Sequence, residues 1–395
     1  MNSQTTDYGT TFQNVDLQDA VARLQELDER RFDLITDIDN LRYTDQGFVI
    51  VTHPGTEPYM AKPNKVGHSH IATKMGVPTK YWQKMIDGHD ELAAHNFNYW
   101  KQLEGLKARD GGNAPRQVFF RGYRDEKGSS MGNMRALLSN SYLPYDNLTL
   151  LMTVLKTCNE IASDRGIKIH VDKCDLSEKK LFVRFICKDV EKDAADYMKG
   201  YRDPNQGTTG GDGVSKKIFS GFVVSNSEVG AGKLVCAPRL VVGACRNGLI
   251  WTSEQYDRTH LGSKMDKGFY SPRTHKANYE LIESQMIDHV NRFLSEDFLG
   301  KTIEQVEQLD AWRLAHPANA VRNIGHEFKF SEEEQEGILN HFMLQGRSQT
   351  AFDIAQAITS YAQTREPETR YAMESSIEGI LGAMNKCDRD LVLAN

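Results

Sequence analysis

The side chains able to ligate a metal or attack a substrate come first. His68-x-His70 has ligand-like spacing, but no carboxylate or cysteine accompanies it at the distances a metal site uses. The six cysteines, at 158, 174, 187, 236, 245 and 387, form no C-x-x-C pair, and several sit in apolar runs such as Phe185-Ile186-Cys187. They read as reduced, buried thiols of a cytosolic protein. Gly210-Gly211-Asp212-Gly213 and Gly230-Ala231-Gly232-Lys233 are glycine-rich, yet Leu234 follows Lys233 where a phosphate-binding P-loop needs Ser or Thr. The second string reads as a turn between strands. No G-x-S-x-G elbow and no H-E-x-x-H occurs, and no linear spacing joins carboxylates such as Glu228 and Asp257. The motifs therefore point away from an enzyme, with no catalytic residue, cofactor or metal expected. An active site without a linear motif stays open.

Binding remains, and charge says where to look. The 395 residues carry a net charge of -6, which taken whole argues against a polyanion partner. By segment, residues 1–114 hold 12 basic and 16 acidic residues, 115–280 hold 26 and 19, and 281–395 hold 10 and 19. A basic middle thus lies between acidic ends. Within it aromatic residues interleave with cations. Arg135, Tyr142, Lys216, Lys217, Arg239, Arg246, Asn247, Lys264, Lys267, Phe269, Tyr270, Arg273 and Lys276 are the candidate nucleic-acid-binding residues. Single strands are held by cationic grooves with bases stacked on aromatic faces. The same composition also describes a solvated surface above core aromatics.

Several elements must position these residues. Residues 1–14 are polar and read as a disordered tail. Leu17, Val21, Leu24, Leu27, Leu34, Ile35 and Ile38 recur mostly at three-, four- or seven-residue steps, which predicts one amphipathic helix. Leu41 to His53 predicts a β segment broken at Asp45-Gln46-Gly47. His68 to Trp82 predicts a helix, a stop at Gly76 and a second helix from Pro78 or Thr79. That outline is shared by a helix-turn-helix reader and an ordinary αα corner. Residues 108–117 read as a linker. Strands are predicted over 117–123, 134–139, 167–171, 180–187, 218–225, 233–245 and 249–252, and a helix over 148–163 capped by Asp146 or Asn147. Asn247-Gly248 is a hairpin signal. Residues 198–215 and 257–276 read as long mobile loops, followed by a helix from about Ala277 to Leu294. The last hundred residues read as helical, with Ser331 opening one helix and Thr350 the neighbourhood of another. No run of about 18 apolar residues and no secretory signal occurs.

Two strings in the middle go further. Arg135-Ala136-Leu137-Leu138-Ser139-Asn140-Ser141-Tyr142-Leu143-Pro144-Tyr145-Asp146-Asn147 is one. Asn226-Ser227-Glu228-Val229-Gly230, followed by Cys245-Arg246-Asn247-Gly248-Leu249, is the other. Together they resemble the core of the phage/plasmid-like family built on domain of unknown function 932. Met75 to Tyr81, Asn96 to Trp100 and Thr350 to Ala362 resemble its flanking segments, so that the resemblance spans roughly residues 65–385. It implies mobile DNA in the cytoplasm of a bacterial host and carries over no catalytic residue.

The expected fold is α+β, a mixed, mainly antiparallel central sheet packed by helices, with a helical C-terminal region. The expected division is a 15–114 α/β region, a 115–300 basic domain and a 301–395 helical region. The expected function is non-enzymatic single-stranded DNA binding by a homo-oligomer, as an annealing or recombination accessory without membrane contact. A protein-interaction factor acting against a host defence system, or an uncharted nucleotide-acting enzyme, are the alternatives.

Overall fold

The computed structural model describes residues 11–110, 116–194, 201–205, 217–243, 248–259, 272–346 and 349–386. Strand β1 (Phe12–Val15) leads into helix α1 (Leu17–Glu29), capped by the Asp16 carboxylate on the Asp19 N–H. Strands β2 (Arg31–Asp37), β3 (Leu41–Tyr43), β4 (Val49–Val51) and β5 (Tyr59–Pro63) follow. Then come α2 (Lys65–Met75), α3 (Thr79–Ile86) and α4 (Asp90–Asp110). The central elements are β6 (Gln117–Arg124), β7 (Met131–Ser139), α5 (Asn147–Arg165), β8 (Ile169–Leu176), β9 (Leu181–Asp193), β10 (Lys217–Asn226), β11 (Leu234–Val242), β12 (Gly248–Ile250) and β13 (Tyr256–Arg258). The chain then turns helical: α6 (Pro272–Phe293), α7 (Glu296–Ala311), α8 (Pro317–Phe328), α9 (Glu332–Leu344), α10 (Ala351–Ala362), α11 (Pro367–Glu374) and α12 (Ile377–Lys386).

The α+β expectation is met by two sheets. One is antiparallel, in the order β1-β8-β9-β10-β11-β12, with β13 also on β11. The other runs β2-β6-β7-β5-β4-β3 and is mixed, because β5 and β7 are parallel. A boundary at residue 115 would cut this second sheet, since β6 and β7 pair with β2 and β5. Among the described residues no helix is long and apolar enough to cross a membrane.

Two sequence expectations near the N-terminus change. Residues 12–14, read as tail, lie in β1, which pairs with β8. The single helix over 17–38 stops at Glu29, and Arg31–Asp37 is a strand on β6. Phe32 and Leu34 pack on one face against a core containing Trp82, Phe97 and Phe120, while Asp33 turns to the other. That is strand alternation, and pairing with β6 overrides the helical spacing.

The αα corner is as expected. Gly76 ends α2 in the left-handed conformation (φ 72°) and α3 opens after Pro78. The two histidines hold this corner in place. His68 Nδ1 accepts from Trp82 Nε1 at 3.2 Å, and His70 Nδ1 accepts from the Leu137 N–H of β7 at 3.1 Å. Both rings must be neutral at Nδ1 to accept. Burial, helped by Lys62 and Lys74 respectively, pushes both imidazoles down to about 4.

The first sheet is covered on both faces. On one, Val183, Phe185, Phe222 and Leu240 join a large core with α5 and α6. The other face carries Phe182 and Arg184, which meet Tyr371 and Glu374 of α11. Cys158, Cys174, Cys187 and Cys236 are buried and free, and burial pushes the Cys158 and Cys174 thiols up to about 12. Cys245 and Cys387 lie outside the described residues. The N-cap expected of Ser331 is realised as a reciprocal capping box, and Thr350, near which a helix start is expected, makes another.

The loop expected over 257–276 is shorter at both ends, because Tyr256–Arg258 is β13 and α6 already begins at Pro272. The centre of that loop, most of 198–215, and residues 111–115 of the expected linker lie outside the described residues.

Candidate functional site

The two central strings, about eighty residues apart, converge between the sheets. Glu228, on the turn after β10, points its carboxylate at the amino end of α5. Its Oε1 accepts from the Asn147 N–H at 2.5 Å, and its Oε2 lies 2.6 Å from Arg135 Nη2. The Tyr123 hydroxyl donates to the same Oε2 at 3.4 Å, and Arg135 Nη1 donates to that hydroxyl. Asn226 Nδ2 donates to Asn147 Oδ1 (2.8 Å) and to the Tyr145 carbonyl (2.7 Å). The Tyr142 hydroxyl donates to the Ser227 carbonyl at 2.6 Å.

Asp146 sits at the N-cap position of α5, as expected, but its side chain makes no cap bond. Glu228 satisfies that helix end instead, from 81 residues away. Asp146 is thereby free for cations. It accepts from Arg121 Nη2 at 2.6 Å and pairs with Arg31. Arg121, fully buried, also forks onto Asp33 (3.0 and 2.6 Å) and donates to the Glu228 carbonyl at 2.9 Å. Burial opposes the Arg121 charge, but Asp33, Glu228 and Asp146 outweigh it and hold its pKa well above the ordinary value. Burial would raise the Asp146 carboxyl, and Arg121 with Arg31 pull it below its usual range.

A second buried network lies under α11. Arg184 pairs with Asp175 and stands 3.6 Å from Glu374, which also accepts from Arg370 Nε (3.3 Å) and Gln363 Nε2 (3.1 Å). Arg370 Nη1 reaches Asn14 Oδ1 of β1 at 2.8 Å. Arg239 Nη1 pairs with Asp172 at 3.1 Å, and its guanidinium lies against Gly248. A Cβ at residue 248 would fall 1.9 Å from Arg239 Nε. The Gly248→Ala variant is expected to displace the guanidinium and cost about 1–3 kcal/mol, measured by urea unfolding. A wild-type midpoint would show that Arg239 yields freely.

These networks account for part of the basic middle. Arg121 is neutralised by Asp33 from the acidic N-terminal segment and Arg184 by Glu374 from the acidic C-terminal one. Exposed pairs such as Lys127–Glu29 (3.3 Å) repeat the pattern.

The candidate nucleic-acid residues are accordingly dispersed. Arg135 and Arg239 are 6% and 1% exposed and ion-paired, so burial withdraws both from a phosphate backbone. Tyr142 is half-buried with its hydroxyl engaged. Lys217 is exposed but paired with Glu191. Arg273 and Lys276 are exposed at the start of α6, where Lys276 Nζ lies 3.9 Å from Glu280 in a solvent-exposed pair. Lys216, Arg246, Asn247, Lys264, Lys267, Phe269 and Tyr270 lie outside the described residues. Arg121 and Tyr123 belong to the cations and aromatics interleaved in the basic middle, but Asp33 and Glu374, central to the two networks, carry no local signal because their partners are remote in sequence.

Glu228 thus joins β7, the turn after β10 and the amino end of α5 through one carboxylate. The His68 and His70 rings are likewise engaged through Nδ1, and no group of three or more His, Cys, Asp or Glu able to hold a metal occurs among the described residues. Fold and site together define an α+β protein in which one buried ion-pair network ties the two sheets and another ties the first sheet to α11. The chain matches no family model, no curated protein and no solved structure.

Proposed function

We propose that the chain binds single-stranded nucleic acid without catalysing a reaction. In this reading it is a homo-oligomeric annealing or recombination accessory of phage or plasmid DNA, in the cytoplasm of a bacterial host. The observation that supports the reading is the amino end of α6. Its first turn carries no acid, and Arg273 and Lys276 are exposed there. Cations are unfavourable at the positive end of a helix dipole, where an anionic ligand would be stabilised. In the sequence Lys267 and Lys264 lie five and eight residues before this turn. Recognition would be by phosphate neutralisation, so affinity should fall steeply with salt.

Binding of a labelled single-stranded oligonucleotide, titrated at several salt concentrations, tests this. The paired change Arg273→Glu with Lys276→Glu is expected to weaken binding at least about tenfold at low salt and to lower the logarithmic salt slope by roughly 1–2. No binding at low salt, or binding that the variant leaves unchanged, overturns the reading.

A further inference from the structure

We propose that the cleft between the Ser177–Lys180 turn and the Arg135–Glu228 pair binds a phosphate monoester end-on. Asn64, Tyr123, Asn133 and Arg135 line its interior, and Lys179 and Lys180 stand on the turn at its edge. Arg135 is 6% exposed, and its three nitrogens differ in use. Nη1 donates to Tyr123 and Nη2 lies 2.6 Å from Glu228 as an ion pair without hydrogen-bond geometry, but the buried Nε has neither an acceptor nor a carboxylate beside it. A buried guanidinium N–H without an acceptor costs stability unless a ligand or water supplies one.

The size of the cleft fits one ligand atom at the bottom and more at the opening. The interior cavity is about 20 Å³, enough for a single oxygen, within a hollow of about 370 Å³ that extends into open solvent. Lys180 extends along the turn after β10, with Nζ 2.7 Å from where a Cβ on Gly232 would stand. Lys179 is exposed. Glu228 and Glu178 also line the hollow, but the charge of Glu228 is already met by Arg135 and the α5 amino end. An anionic oxygen is the atom that a spare guanidinium N–H takes, with the remaining charge near the two lysines. A blind cleft takes a terminal group that protrudes, and a monoester brings more charge to it than a diester linkage does. The ligand class is therefore a terminal phosphate, free or at a strand end. The inference does not depend on strand binding by α6.

The test uses the full chain and four probes: inorganic phosphate, a nucleoside 5′-monophosphate, and one oligonucleotide with either a 5′-phosphate or a 5′-hydroxyl. The 5′-phosphorylated strand is expected to bind at least tenfold more tightly than the hydroxyl strand, and the monophosphate to compete. Lys179→Ala with Lys180→Ala should remove that difference, and both side chains are peripheral enough to leave the fold intact, as a thermal melt would verify. Arg135→Lys, where it folds, should do the same, since lysine has no Nε–H at that point. Equal binding of the two strands together with no binding of either small phosphate overturns the cleft and leaves strand binding standing. Binding of the small phosphates alone, lost in the lysine variant, supports the cleft and removes the strand reading. Binding that the lysine variant does not change overturns the cleft.

Discussion

Glu228→Ala is expected to destabilise the protein by about 3–5 kcal/mol, the cost of breaking a buried ion pair from one side. The change leaves the Arg135 guanidinium without its carboxylate, frees the Tyr123 hydroxyl of an acceptor and uncaps the Asn147 N–H of α5. Three elements lose one common tie, namely β7, the turn after β10 and α5. The complementary variants separate charge from shape. Glu228→Gln keeps an acceptor for the Asn147 N–H and removes the charge, so its loss should be smaller. Pairing Glu228→Ala with Arg135→Met removes both charges, and the double variant should recover stability relative to Glu228→Ala alone, because no unpaired guanidinium remains buried. Urea unfolding of these proteins, with Arg135→Met alone completing the cycle, gives the coupling energy. A Glu228→Ala midpoint close to wild type would show that water reaches Arg135 and that the network is not a closed tie.

The convergence behind that experiment was partly legible in the sequence. The strings around Arg135–Asn147 and Asn226–Gly230 stood out, and the structure brings them into hydrogen-bonding contact. Local signals also served well where the governing physics is local. Gly76 and Pro78 set a helix corner, Ser331 and Thr350 cap their helices, and the Gly47 turn joins β3 to β4.

What failed depended on partners distant in the chain. Leu34 and Ile35 have helical spacing relative to Leu27 and Ile38, and only pairing with β6 makes them a strand. Arg135 and Arg239 looked like surface cations because Glu228 and Asp172 are 93 and 67 residues away from them. The charge blocks misled for the same reason. A segment that is basic along the chain need not be basic in space when Asp33 and Glu374 fold onto its arginines. Among the cations that stay on the surface, those at α6 and at the Ser177–Lys180 turn are the ones a binding experiment should address first.

Acid should loosen the α2–α3 corner well before the carboxylate networks respond. His68 and His70 have an unfolded value near 6.5 and a folded value of about 4. Above pH 6.5 both states hold neutral rings, and the stability from the two hydrogen bonds is fully present. As the pH falls from 6.5 toward 4 the unfolded chain takes up protons that the folded chain refuses, so stability declines throughout that window. A difference of that size amounts to about 3 kcal/mol per imidazole. Below pH 4 the folded rings protonate, and Trp82 Nε1–H and the Leu137 N–H each face a donor instead of an acceptor. Asp146 and Glu374, whose pKa values are lowered in the fold, contribute stability above their ordinary carboxylate range and lose it only as the pH falls through their depressed values. Urea midpoints measured between pH 7 and 4.5 therefore report mainly on the histidines. His70→Gln keeps an acceptor for the Leu137 N–H without a titrating ring, and it should lower the slope of stability against pH in that range, to which His68, His289 and His341, whose pKa values burial also lowers, still contribute. A slope unchanged in His68→Gln with His70→Gln would place the acid sensitivity elsewhere.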